Sequence, residues 1–294
     1  MALKSNDPGW AWFGGRLVPF SEARVPVEDR GLQFGESLYE VVAVVAGEPF
    51  RLPDHVERMA AGAREIGLED GVPDLPRWTA VIAQLYRREP HRTAILYAQV
   101  TGGSAPRRHL PAERPEPFFF AYLRRFTFPV PAEAARGIAA ITVPETRWQR
   151  RDVKATMLLP AVLAKKDAVG RGADEAIFVG QDGFVNEGAS STVFTVHGRT
   201  VSTPPPTQRV LPGVSSKAVE AICRDLGVAL TPRPLTLSDL HRADELFVAS
   251  TMLLLMPVVR LDGNPVLSLP APVLGAAGTV TGRGAAPSGA AGSL

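Results

Sequence analysis

Cysteine, lysine and long apolar runs are scarce in this chain, and each scarcity narrows what it can do. The single cysteine, Cys223, excludes an intramolecular disulfide and any cysteine-rich metal site. It sits in KAVEAICRDLG, where Val219, Ile222, Cys223 and Leu226 recur at helical spacing, so a buried structural thiol is predicted. No stretch reaches the ~20 apolar residues of a membrane helix, and MALKSNDPGWAWFGG lacks the apolar core of a signal peptide. A soluble, cytoplasmic protein is the expectation. An excess of one charge is missing too: 32 basic residues face 30 acidic ones, and the basic groups are short and scattered. That balance argues against a nucleic-acid footprint. Among the 32 basic residues only Lys4, Lys154, Lys165, Lys166 and Lys217 are lysines.

What is present suits a folded, two-domain protein. The chain has 294 residues, 45% of them hydrophobic, enough for domains of about 150 residues each. WAWFGGRLVPF reads as a hairpin around Gly14-Gly15, and SLYEVVAVVAGEPFRL as two strands joined at Ala46-Gly47-Glu48. In LPDHVERMAAGAREIGL, Pro53 and Asp54 mark a helix start, with Glu57 in capping-box position to Asp54. A second helix is predicted over Trp78 to Arg88, then strands in TAILYAQVTGG and PFFFAYLRRF. Residues 127–137, TFPVPAEAARG, have linker composition and separate an α+β domain over 1–126 from a second domain over 138–270. In the second, GIAAITVPE reads as a strand and LLPAVLAKKDAVGRG as a helix with Pro160 in its first turn. Strands then alternate with the turns Gln181-Asp182-Gly183 and His197-Gly198, and the helix SSKAVEAICRDLG and the strand ELFVASTM follow. Strands and helices mix without strict βαβ alternation, which gives the class α+β. From Ala271 to Leu294 there are six glycines and no lysine, acid or aromatic residue, so disorder or loose packing is expected.

A few residues have the chemistry for a reaction. Lys154, in RRDVKATMLLPAVLAKKDA, stands between Val153 and Ala155. An amine, unlike a guanidinium, can lose its proton when desolvated and attack a carbonyl. By itself the position reads first as a strand-edge lysine reaching solvent, and Lys165 and Lys166 read as solvated. In VNEGASST, Glu187 ends a strand before small residues that let a flat ligand approach, a pattern shared with ordinary tight turns. LPGVSSKAV opens a helix whose free N–H groups favour an anion, and Ser250-Thr251 closes a strand. His55 and Arg58 share a helix face, either solvated or with Arg58 free to grip a phosphate. The loop GGSAPRRHL carries Arg107, Arg108 and His109, either a carboxylate receptor or a solvated basic loop.

The order of these motifs is more specific than any one of them. EDRGLQFGESLYEVVAVVAGEPFRLPDHVERM, YAQVTGGSAPRRH, DVKATMLLPAVLAKKDA, NEGASSTVF, LPGVSSKAV and DELFVASTM together resemble the fold-type IV, pyridoxal-phosphate-dependent aminotransferases, over roughly residues 10–265. That family includes D-amino-acid and branched-chain aminotransferases and aminodeoxychorismate lyase. The resemblance implies a two-domain fold, with a smaller N-terminal α/β domain and a larger C-terminal cofactor-binding domain built on a mixed, barrel-like sheet.

It also implies pyridoxal 5′-phosphate as cofactor and no metal. Lys154 would hold it as an internal aldimine and then move the proton at Cα. Glu187 would pair with the pyridine nitrogen. Arg58, Val214, Ser215 and Thr251, with Ser250 beside it, would line the phosphate, and Ser190 and Leu211 would pack beside the ring. The Arg107–His109 pattern combined with Tyr39 is similar to the carboxylate trap of the D-amino-acid enzymes, where the loop comes from the neighbouring subunit of a homodimer. The expected reaction is ping-pong transamination between a D-amino acid of the D-alanine type and a 2-oxo acid such as 2-oxoglutarate. A branched-chain-type aminotransferase and a lyase of the aminodeoxychorismate type are the alternatives. The chain departs from the family pattern at Glu36-Ser37, where aspartate-glycine is usual, at the apolar Met252 to Leu255, and in its tail.

Overall fold

SLYEVVAVV is dense in β-branched and apolar residues, and in the computed structural model it runs as one nine-residue strand. The structure describes residues 8–111 and 113–266; the tail 271–294 lies outside them. The chain divides into two compact units. One gathers the described residues up to Phe128 with Thr146–Ala164 and Pro206–Val214, and the other takes Pro129–Glu145, Lys165–Pro205 and the described chain from Ser215.

The first unit is built on a six-stranded sheet: β1 Trp10–Phe13, β2 Arg16–Pro19, β3 Ser37–Val45, β4 Glu48–Pro49, β5 Thr93–Thr101 and β6 Phe118–Arg125. Its order is β2-β1-β6-β5-β3-β4, with every neighbouring pair antiparallel. Its helices are α1 Arg30–Phe34, α2 Leu52–Ile66 and α3 Leu75–Arg88. Met59 from α2 and Trp78, Ile82 and Leu85 from α3 share one buried core with Val42, Leu96 and Leu123 of the sheet. Their helical spacing gives each helix one apolar stripe to bury.

Two helix starts differ from expectation. α3 begins at Leu75, three residues before Trp78, because Asp74 accepts from the Arg77 amide at 2.9 Å and Pro76 suits a first turn. α2 begins at Leu52, so Asp54 lies inside the helix and the capping box expected from Asp54 and Glu57 does not mark its start. Pro53 needs no amide partner in the first turn, which sets the start earlier. Arg51, in the left-handed region at φ 52°, precedes the helix, and its Nε donates to Asp54 at 2.7 Å.

In the second unit α4 Pro131–Arg136 leads into β7 Ile138–Pro144, and α5 Leu159–Gly170 crosses from the first unit's residues into the second's. There follow β8 Glu175–Val179, β9 Phe184–Gly188, β10 Thr192–His197, β11 Thr200–Thr203, α6 Val214–Asp225, β12 Ala229–Pro232, β13 Leu235–Thr236, α7 Leu237–His241, β14 Glu245–Ser250, β15 Leu254–Leu261 and β16 Asn264–Pro265. The sheet order is β12-β11-β10-β14-β15-β7-β8-β9-β13, with β16 added on β15. The β11–β12, β15–β7 and β7–β8 pairs are parallel and the rest antiparallel, a mixed sheet. Ile177, Val193, Leu246 and Val258 fill one core. Phe194 and Phe247 stack in another, at 4.9 Å, with Val219 and Cys223. Cys223 is buried as predicted, and burial pushes its thiol pKa up. Among the described residues no helix is long and apolar enough to cross a membrane.

Candidate active site

In the first unit Lys154 follows a buried valine and precedes a buried alanine, and both neighbours belong to the core under β3. Its backbone carbonyl accepts from the Tyr39 amide at 3.2 Å, and Ala155 bridges to Leu38. This pairing anchors the main chain while the half-buried amine stays clear of the core. Lys154 Nζ lies 4.1 Å from the Tyr39 ring centroid, within cation–π range. Tyr39 stacks in turn on Tyr97 at 5.9 Å, whose hydroxyl pKa is pushed up by burial and by Tyr122 and Tyr39.

The helix face carrying His55 and Arg58 is not solvated. Arg58 donates from Nε and Nη2 to Glu40, both at 2.7 Å, and His55 Nδ1 lies 2.7 Å from the same carboxylate. Glu40 is fully buried and His55 nearly so. Burial would raise the Glu40 pKa, but Arg58 and His55 bring it down to about 2. An ionised carboxylate only accepts, so His55 presents its Nδ1–H to it. The remaining edge of Arg58 reaches the Pro212 carbonyl at 3.0 Å. The guanidinium is thereby fixed beside the segment with Leu211, half-buried, and Val214, buried where α6 begins.

In the second unit Glu187 lies on β9 and is buried. Gly188 follows it because a side chain there would collide with Ser191 Oγ. The next hydroxyls converge on another buried acid: Ser190 and Ser191 donate to Glu175 Oε2 at 3.2 and 3.0 Å. Lys165 donates to Glu175 Oε1 at 3.2 Å, so the expectation that Lys165 is solvated is corrected. The buried Glu175 carboxylate is met by three neutral donors and, from α5, by the partly exposed Lys165 cation. Ser215 lies in the first turn of α6, and the neighbouring Ser216 donates to Thr192 at 3.3 Å. Ser250 ends β14 and accepts from the Leu253 amide at 3.2 Å, which closes the turn carrying Thr251.

The loop after β5 is held by residues 28–36 of the first unit. Phe34 lies 5.5 Å from the His109 ring and 5.3 Å from the Arg107 guanidinium carbon. Gly103 is required there: at φ 75°, a side chain would run into the Glu116 carbonyl. Sequence reasoning did not single out Glu40, Glu175 or Arg30. The available signal was a lone acid inside SLYEVVAVV and another opening the apolar strand EAIFV.

These groups fit pyridoxal phosphate. The first unit supplies an amine beside an aromatic face and an arginine fixed next to a helix start, and the second a buried carboxylate and a set of hydroxyls. Such donors suit a carbonyl, a phosphate and a protonated ring nitrogen.

The comparisons agree with this reading. The family model for class IV amino-transferases matches residues 37–261. A D-alanine aminotransferase from Bacillus licheniformis is 35% identical over 257 residues, covering 86% of this chain and 89% of that protein. One from Staphylococcus aureus is 34% identical over 258 residues, covering 87% and 90%. Among solved structures, the branched-chain aminotransferase of Thermoproteus uzoniensis superposes with a TM-score of 0.83 at 26% identity, over 94% of both chains. That of Escherichia coli superposes with a TM-score of 0.81 at 23% identity, over 89% of both. The chain belongs to the class IV aminotransferases, with the fold of type IV. It is a pyridoxal-phosphate-dependent enzyme acting on small amino and 2-oxo acids.

Proposed function

We propose that the enzyme transfers the amino group of a D-amino acid of the D-alanine type to a 2-oxo acid such as 2-oxoglutarate. The observation that carries this reading is the Arg107-x-His109 loop, packed on Phe34 as a receptor for the substrate α-carboxylate, in a chain whose Tyr39 lies against Lys154. The D-alanine aminotransferases among the relatives support it.

The cofactor, when bound, supplies an electron sink that makes the Cα–H acidic. Lys154 would hold the cofactor, and its amine would serve as the base that moves the proton between the substrate Cα and the cofactor's C4′. Glu187 would keep a proton on the ring nitrogen. Arg58, oriented by Glu40, would hold the phosphate, a role also proposed for the Val214-Ser215 backbone and hydroxyl, Ser250 and Thr251. Ser190 and Leu211 set the plane of the ring, and Tyr39 shields the Lys154 amine. Arg107 and His109 fix the carboxylate and so choose which Cα–H faces Lys154.

A homodimer, with each loop serving the neighbouring subunit, follows from the same reading. An apolar cleft of about 430 Å³ supports it, lined by Leu32, Phe34, Met157, Leu158 and Leu159. Leu32 and Leu159 are 65% and 67% exposed, so the cleft carries apolar side chains that a partner subunit could cover. A cytoplasmic location is part of the proposal.

The test is a spectral titration of the purified enzyme with D- and L-alanine, repeated on Lys154→Ala. D-Alanine alone should bleach the visible band of the wild type, and the variant should show no such band. A response to L-leucine or L-valine instead would favour the branched-chain reading, which the apolar Met252 to Leu255 supports. Pyruvate release without an amino acceptor would point to the lyase alternative.

A further inference from the structure

The receptor loop is gripped from beneath by one cation. Arg30 Nε donates to Glu36 Oε2 at 2.5 Å, Nη1 to the Arg108 carbonyl at 2.8 Å and Nη2 to the His109 carbonyl at 2.9 Å. The Arg30 side chain is only 7% exposed. A guanidinium is planar with fixed donor directions, so these three acceptors are satisfied together in one orientation only. The backbone completes the grip: Arg30 N donates to Gly103 O at 2.8 Å, and Gly102 N to Glu36 O at 2.9 Å. Asp29 caps α1 and also accepts from Thr101 at 2.7 Å. Residues 28–36 thus form a strap along the loop from Gly102 to His109.

Glu36 lies between α1 and β3. Its carboxylate pairs with Arg30, which carries the contact to the two loop carbonyls.

We infer that the Arg30–Glu36 pair is the positioning device of the Arg107/His109 receptor. By pinning the carbonyls of Arg108 and His109 it sets the backbone from which both receptor side chains are presented. The pair thereby sets the enzyme's affinity for a substrate carboxylate. This rests on the proposed reading of Arg107 and His109 as the carboxylate receptor. A loop ordered before binding loses less freedom when the carboxylate arrives, so the pair acts on KM. Lysine at position 30 would keep the charge but could not span both carbonyls and Glu36, because an ammonium is a compact donor without the fork.

The experiment compares Arg30→Lys, Glu36→Gln and the double variant with the wild type, all as full-length holoenzyme. One readout needs no turnover: the rate of tryptic cleavage after Arg107 and Arg108, followed by fragment mass. Both arginines are exposed, and the scissile Arg108–His109 bond carries the carbonyl that Arg30 holds. Cleavage there should speed up about tenfold in Arg30→Lys, following the open population of the loop. The second readout is the KM-against-kcat split for D-alanine, where KM should rise about tenfold and kcat stay within about threefold. The double variant should be no worse than Arg30→Lys, since Glu36 acts through Arg30.

Unchanged cleavage and unchanged KM in Glu36→Gln and Arg30→Lys would overturn the inference. So would a fall in kcat and thermal stability with KM unmoved, which marks a structural role only. Arg107→Leu separates the two ideas. If it leaves KM unmoved, the receptor reading fails; if it raises KM while Arg30→Lys does not, the positioning role alone fails. Should Arg30→Lys not fold, Glu36→Gln, nearly isosteric and partly exposed, decides by the same two readouts.

Discussion

Arg58 lies against Glu40 as a two-bond fork, with Nε and Nη2 each 2.7 Å from a carboxylate that solvent does not reach. On the proposed reading Arg58 would grip the phosphate, and Glu40 fixes the orientation of its guanidinium. Breaking a buried pair by removing one charge strands the other, which costs far more than the pair is worth against an apolar replacement. Glu40→Ala should lower stability by about 3–5 kcal/mol, read by denaturant unfolding of the apoenzyme. Glu40→Gln should fold better yet retain the cofactor less tightly, read by fluorescence titration.

The same carboxylate sets an acid limit. Its folded pKa, about 2, lies below the ordinary 4.5, so folding favours the ionised form. Its contribution is complete above 4.5 and is lost as pH falls through about 2. Unfolding free energy of the wild type should drop across that window, and the Glu40→Gln profile should be flatter.

Glu245 works in the opposite direction. It is buried at the start of β14, its Oε2 accepts no hydrogen bond among the described residues, and burial, with Asp244 beside it, raises its pKa to about 7. The folded state holds this proton more tightly than the unfolded chain, so stability is fullest at low pH and declines as pH rises through 7. Glu245→Gln should raise stability at pH 8 by on the order of 1–3 kcal/mol and change little at pH 5. Paired thermal melts at the two pH values check this.

The two adjacent lysines of α5 should behave differently. Lys165 reaches the buried Glu175, which also accepts from Ser190, Ser191 and the Ala176 amide. Lys165→Met should cost about 1 kcal/mol, since three donors remain, while Lys166→Met stays within about 0.5 kcal/mol. Glu175→Ala should cost about 3 kcal/mol and loosen the turn after Glu187. Urea unfolding ranks the three variants.

Lys154 has a direct chemical check. Borohydride reduction of the holoenzyme should attach the cofactor irreversibly to the peptide containing Lys154, seen by mass spectrometry. Lys154→Ala should carry no label and lose at least about 10²- to 10⁴-fold in rate, the range of a lost proton-transfer group.

Much of this molecule is legible in local order. The hairpin at Gly14-Gly15, the strand SLYEVVAVV, the helix with Pro160 in its first turn and the buried Cys223 all follow from period, turn residues and apolar spacing. Family membership follows from the succession of short motifs, one of which carries Lys154. Those features depend on neighbours within a few residues, so they are written where they act.

The roles of the acids are not written that way. Glu40 sits 18 residues from Arg58, Glu175 ten from Lys165 and 15 from Ser190, and Arg30 is 78 from the carbonyl it holds at Arg108. A buried charge is tolerated only where folding delivers its partner, and that delivery depends on how α2 lies on β3 and how α1 straps the loop after β5. Composition and motif order point to the family and single out Lys154 as the candidate amine. Which acid steadies which cation is settled by distances across the fold, because electrostatic pairing acts through space rather than along the chain.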